Sequence, residues 1–246
     1  MKRYKGLLAA LVTAVLAVVC VRLFFAMILV IPADGERPAL YAGDRVWVSR
    51  SAYGIRLPFS GRWGYRRVGT SAVSEGDWVA FNNPVAGPDV PLERREVFVG
   101  RCLGLPGDTL WFGVDGCPSR RRDEICGDAW PVVVPAKGRK VKVEPWSARL
   151  YGQAVNGHER VKAAVIDDSL CVDGRMISCY RFGQDFYWMS SSAASGQAMD
   201  SRTFGLVPAT HLVGRLVCVL YSLDPDVPWY KSFRTDRVGV LLPAAD

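Results

Sequence analysis

A chain of 246 residues, half of them hydrophobic and 22% charged, with 24 glycines and 15 prolines, is too apolar for a disordered protein. It reads as a turn-rich fold with one large domain, or a core with an insertion. The formal charge of +7 suits anionic lipid as well as nucleic acid. No basic run interleaved with stacking aromatics accompanies it, so nucleic acid is set aside in favour of a lipid surface or a solvated basic face.

The N-terminus carries Lys2, Arg3 and Lys5, and residues 6–21 are then apolar apart from Thr13. As a helix this stretch is roughly 24 Å long, a little short of a ~30 Å hydrocarbon core. The gap closes if Arg22 snorkels to the far interface or the helix runs a few residues past it. Bulky apolar residues continue to Val30, which leaves no clear signal-peptide cleavage site, and Val18 and Val19 stand where a lipoprotein signal ending at Cys20 needs small residues. Residues 1–22 are therefore expected to be a cytoplasmic tip and an uncleaved transmembrane anchor. The positive-inside rule turns everything beyond residue ~30 outward.

Beyond the anchor the chain reads as strands and turns. Residues 44–49 and 77–81 are two strands, the second ended by Asn82-Asn83-Pro84. Residues 97–99 lead into Gly104-Leu105-Pro106-Gly107-Asp108, a tight turn in which glycine permits positive φ and proline fixes its own. Residues 109–185, rich in Val, Lys, Gly and Pro, read as an inserted β-domain, with no helical pattern strong enough to predict a helix after the anchor. Residues 23–108 and 186–246 then form the core.

The seven cysteines include no Cys-x-x-Cys pair, and the only histidines are His158 and His211. No metal or other cofactor is expected. Cys117/Cys126 and Cys171/Cys179 each bracket a short loop that a local disulfide can close in an oxidising compartment. Cys102 and Cys218 lie in apolar runs and read as buried thiols. The two histidines are expected on the surface or satisfying a loop.

Four stretches in order behind the anchor resemble type I signal peptidases. They are Ile31-Pro32-Ala33-Asp34-Gly35-Glu36-Arg37-Pro38-Ala39-Leu40 followed by Gly43-Asp44; Glu75-Gly76-Asp77-Trp78-Val79-Ala80-Phe81; Arg101-Cys102-Leu103-Gly104-Leu105-Pro106-Gly107-Asp108; and Asp200-Ser201-Arg202 running on to Pro208. The resemblance implies an all-β, signal-peptidase-like core with an inserted second β-domain and one N-terminal transmembrane helix. It also implies a single-pass protein of the bacterial cytoplasmic (inner) membrane with its C-terminal domain on the extracytoplasmic side.

The family cleaves signal peptides with a serine nucleophile and a lysine base whose pKa burial lowers. By this resemblance Gly35 stands at the nucleophile position and Gly100 at the base position. Ala33 replaces the serine that helps hold the oxyanion, and Ala198 the serine that orients the lysine. Arg101, Gly107, Asp108, Asp200, Ser201 and Arg202 persist as structural family residues. Residues 31–48 contain no Ser, Thr or Cys, so no change of register recovers a nucleophile. Lys137, Lys140 and Lys142 read as surface charges, and Ser49 and Ser51 as solvent-facing.

The chain is thus expected to be an inactive homologue that binds exported precursor peptides or an active signal peptidase, with the lipid bilayer as a further partner. Two alternatives are an endopeptidase with an unconventional nucleophile and a structural envelope protein with a vestigial cleft. Phe59, Trp63, Tyr65, Trp78 and the 229–234 segment are candidates for an interfacial aromatic surface or for packing. Arg101, Asp200 and Arg202 are expected to form a salt-bridged cluster beneath the vestigial site.

Overall fold

The computed structural model describes residues 2–32, 39–57, 60, 64–87, 90–159, 161–191 and 199–242. In chain order the main elements are helix α1 (Lys2–Phe24), strands β1 (Ala26–Val30), β2 (Asp44–Ser49), β3 (Trp78–Asn82) and β4 (Val97–Gly104), helix α2 (Ala148–His158), strand β5 (Phe186–Ser190), the short helix α3 (Ser201–Phe204), and strands β6 (Leu212–Leu223) and β7 (Val240–Leu241). The fold is all-β with one N-terminal apolar helix and few others. Two compact units divide it: Met1–Asp34 with Pro38–Ala72 and Gly214–Leu242, and a second that holds Val73–Val213. Residues 109–185 lie within the second.

In the first unit, α1 contains a 19-residue apolar window, Gly6–Phe24, of mean hydropathy 2.6 and with none of it buried. At ~1.5 Å per residue it is long enough to cross a bilayer. The helix runs to Phe24, so Arg22 sits in its last turn. Strand β1 follows at once and pairs antiparallel with β2, which pairs antiparallel with β6. Strand β7 lines the far edge of β6. Alternation sorts the two faces. Val46, Val48, Leu216 and Val219 are buried, whereas Ile28, Trp47 and Leu241 are exposed.

The Gly43-Asp44 dipeptide has a packing cause. Gly43 adopts φ +85°, and a Cβ there would lie 1.8 Å from the Leu223 carbonyl oxygen, so only glycine lets the chain pass. Asp44, fully buried, accepts from the Tyr41 N–H at 2.9 Å and pairs with the Arg237 guanidinium. That guanidinium also donates to the Ala39 carbonyl and lies 4.4 Å from the centre of the Tyr41 ring.

In the second unit β3, β4 and β5 form an antiparallel sheet. All five residues of β3 are buried, as in a central strand. The 109–185 segment adds the ladders Thr109–Phe112 with Trp130–Val133, and Ala163–Ile166 with Ser169–Val172. It also forms α2, which the sequence pattern did not predict. Ala148, Tyr151, Ala154 and Val155 make its buried face, the i, i+3, i+4 spacing of an amphipathic helix. The helix joins a core of Leu110, Val134, Leu170, Phe182 and Phe186.

Candidate functional site: a buried carboxylate beside Gly100

Strand β4 presents alternate residues to opposite faces, so Gly100 is buried while Arg101 is exposed. Gly100 sits opposite Val79 of β3. A Cβ at this position would meet the Met189 Cβ and the Ser190 carbonyl oxygen at 3.3 Å, and the Phe81 Cε1 at 3.4 Å. Behind it Phe81, Phe98 and Phe204 form an aromatic cluster with ring centres 5.6–6.2 Å apart. The Gly100 position is therefore a packed, side-chain-free point. Any residue larger than glycine makes Met189 or the Ser190 carbonyl give by a few tenths of an ångström.

The turn after β4 is pinned by its own aspartate. Asp108 accepts from the Leu105 N–H at 2.9 Å, and Gly107, at φ +96°, donates its N–H to the Val134 carbonyl at 2.8 Å. The Arg120 guanidinium bridges Asp108 at 3.1 Å and Glu75 at 2.7 Å. Next to this turn the Cys102 thiol is pushed up to about 12, first by burial and then by the Asp77 and Asp108 charges. It is an inert packing thiol, not a nucleophile.

Asp200 is fully buried and caps α3 by accepting from the Arg202 N–H at 2.9 Å. Its second oxygen accepts from the Ser191 N–H at 2.9 Å and from the Ser191 hydroxyl at 3.0 Å. The Arg202 side chain closes the cluster with Nη2 at 2.8 Å from Asp200 and 3.2 Å from the Ser191 carbonyl. The hydrogen bond to Asp200 raises the Arg202 pKa. Ser201 accepts from the Met189 N–H at 2.9 Å. The Asp-Ser-Arg run thus stitches the chain after residue 199 to the end of β5 and fixes Met189 and Ser190, the two neighbours of the Gly100 position.

The expected three-residue cluster is corrected in one member. Arg101 stands apart, with its Nε donating to the Gly76 carbonyl at 3.1 Å. It projects from the opposite face of β4 to Gly100, so it cannot lie beneath the Gly100 position. Ala33, Gly35 and Ala198 lie outside the described residues, as do Phe59 and Trp63. Trp78 is buried. Lys137, Lys140 and Lys142 are exposed, and Lys142 pairs with Glu144 at 2.6 Å. Ser49 and Ser51 are half-buried, not solvent-facing; Ser49 ends β2, which is flanked on both sides by β1 and β6, and Ser51 lies in the turn that follows.

All seven cysteines are free thiols. Cys117, Cys126 and Cys179 are exposed and Cys171 is buried. Cys117 and Cys126 line one cavity of about 510 Å³, and the Cys117 sulfur lies 4.0 Å from Arg202 Nη1. Ser191, which completes the Asp200 cluster, carried no signal beyond its place in a run of small polar residues. His211 is buried and does satisfy a loop, through Arg95.

Residues 4–117 match the family profile described as signal peptidase, peptidase S26. The chain is 26% identical to signal peptidase I of Buchnera aphidicola subsp. Schizaphis graminum (strain Sg), over 242 residues that cover 85% of this chain and 72% of the relative. An all-β fold behind an apolar helix, with the four motifs in order and these two matches, defines a signal-peptidase-like protein. The chain is similar to the type I signal peptidase family.

Proposed function

We propose that this chain is a membrane-anchored, catalytically inactive signal peptidase homologue that binds exported precursor peptides, or an active signal peptidase, during signal peptide processing. The observation that carries this reading is position 100. It has no side chain, and the space a base would occupy is bounded by Phe81, Met189 and the Ser190 carbonyl. With glycine at position 35 as well, no Ser–Lys pair can be assembled. Loss of the nucleophile alone lowers turnover by about 10⁶-fold in a serine protease.

Peptide binding does not need either side chain. Strand β4 pairs with β3 over Val97–Arg101 but with β5 only from Arg101 to Gly104. The second edge of residues 97–100 carries no strand among the described residues. Such an edge can accept an extended peptide by main-chain pairing, and in this reading the precursor peptide lies there.

The bilayer as partner is supported within the first unit. Ile28 pairs with Trp47, Trp47 with Cys218 and Cys218 with Leu241. Ile28, Trp47 and Leu241 are 60%, 40% and 75% exposed on this row, which begins just past α1. A row of this kind suits the interfacial zone. In this reading the anchor lies in the bacterial inner membrane and the β structure faces outward.

The purified chain in detergent should leave a precursor protein uncleaved under conditions in which an active signal peptidase processes it. A precursor with a photo-crosslinker in its signal peptide should label the chain, and Val99→Pro, which removes a main-chain donor from β4, should abolish labelling. Cleavage at the signal site by the native chain would overturn the inactive assignment. Labelling that ignores Val99→Pro would overturn the binding mode.

A further inference from the structure

Three side chains from separate stretches of the second unit meet at the end of α2. His158 is the last residue of that helix, His211 closes the turn Ala209–His211, and Arg95 follows the turn Leu92–Arg94. The chain has only two histidines, and they pack edge to face with ring centres 5.0 Å apart.

Arg95 Nη1 lies 3.0 Å from His211 Nε2. A guanidinium has no acceptor, so Nε2 must accept and is unprotonated. The ring proton is then on Nδ1, which donates to Thr210 Oγ1 at 3.2 Å, and the Thr210 hydroxyl donates to Gln184 Oε1 at 3.1 Å. The rest of the guanidinium is spent on the backbone ahead of it. It donates to the carbonyls of Asn83 at 3.3 Å, Gly87 at 3.1 Å and Val90 at 3.0 Å. Pro84, Val85 and Gly87, the backbone so held, wall a cavity of about 550 Å³ whose other lining includes His158, Phe204 and Leu206.

We propose that Arg95, His158 and His211 form an acid-released latch. With both imidazoles neutral, the guanidinium pins residues 83–87 over the cavity. Protonation of either ring sets a second cation against Arg95 and lets the segment go. For His211 the effect is direct, because a proton on Nε2 turns the acceptor of the Arg95 bond into a donor.

Among the described residues, the carboxylates nearest the two rings bond elsewhere. From α2 the adjacent carboxylate is Glu159, whose Oε2 accepts from the Gly183 N–H at 2.8 Å. From the segment before β5 it is Asp185, whose Oδ1 accepts from the Lys137 N–H at 2.7 Å. Neither bonds to a histidine ring. Glu93, Arg94 and Glu96, which flank Arg95, are exposed, and Asp89 lies outside the described residues. Burial first and the Arg95 charge second already hold His158 down to about 4.

Hydrogen exchange on the full chain in detergent tests the latch. After correction for intrinsic rates, the amides of residues 83–87 should exchange roughly thirtyfold faster at pH 5 than at pH 7.5, the ratio set by a ring at about 4 when closed and an ordinary one when open. The β3 amides serve as an unaffected reference. In the double variant His158→Phe, His211→Gln the acceleration should vanish, since Gln keeps an acceptor for Arg95 and does not titrate. A flat profile in the native chain, or the same acceleration in the double variant, overturns the proposal. Should the double variant fail to fold, His158→Phe is read alone. It should cut the acceleration at least tenfold, and an uncut acceleration overturns the latch.

Discussion

Asp200 and Arg101 are both charged members of the family motifs, yet their surroundings give them opposite weights. Asp200 is fully buried and holds Arg202, Ser191 and the start of α3 at once. Asp200→Ala strands a guanidinium and three further donors, and it should destabilise the chain by about 3–5 kcal/mol in a urea titration. Arg101, exposed with one bond to a carbonyl, should cost less than about 1 kcal/mol as Arg101→Ala in the same titration. Equal losses would contradict the assignment of Asp200 as the pin beneath the Gly100 position. Asp200 was legible in the sequence because Asp-Ser-Arg is a compact local pattern. Ser191 was not, because its role depends on a contact across nine positions that no spacing rule encodes.

At the scale of the element, α2 is the instructive case. Its buried positions fit a helix, but four of the five, Gly152 included, are small or β-branched and glycines at 152 and 157 interrupt the 148–158 run, so its helical signal is weak. Its start is also unmarked. The Ser147 hydroxyl accepts from the Glu144 N–H and donates to the Glu144 carbonyl, and so makes no cap. Tertiary packing holds the helix instead. The Tyr151 hydroxyl donates to the Val133 carbonyl at 2.8 Å and accepts from the Val133 N–H at 3.1 Å, which ties α2 to the Trp130–Val133 strand. Tyr151→Phe keeps the ring and removes both bonds, and it should cost about 1–3 kcal/mol. A thermal melt unchanged from the native chain would show that the helix is held by apolar contact alone. The strands were easier to read, since β2 alternates buried and exposed residues along its length and its borders carry turn residues.

For the molecule as a whole, the half-buried His158 imposes a pH dependence whose sign follows from its direction of shift. Its pKa falls from 6.5 to about 4 on folding, so the unfolded chain binds the proton more readily. The neutral ring's contribution is fully present above pH ~6.5 and is lost as pH falls towards ~4, below which it is flat. The full loss is about 3 kcal/mol. Urea midpoints between pH 7.5 and 4 should therefore fall more steeply for the native chain than for His158→Phe. Parallel curves would mean that His158 protonates freely in the folded state.

The sequence by itself determined the apolar N-terminal helix, the all-β class and the order of the four motifs. Each of these rests on local chemistry, namely an unbroken apolar run, period-two alternation, and glycines where the backbone needs positive φ or close approach. It also showed glycine at position 100, but not what surrounds it. Only the tertiary structure decided that Met189, Ser190 and Phe81 close in on that point, that Arg101 projects from the opposite face of β4 to Gly100, and that the two histidines meet at Arg95. Those contacts join residues 19 to 116 positions apart. Their energies depend on burial and on which groups share a low-dielectric pocket, and a linear pattern carries neither quantity.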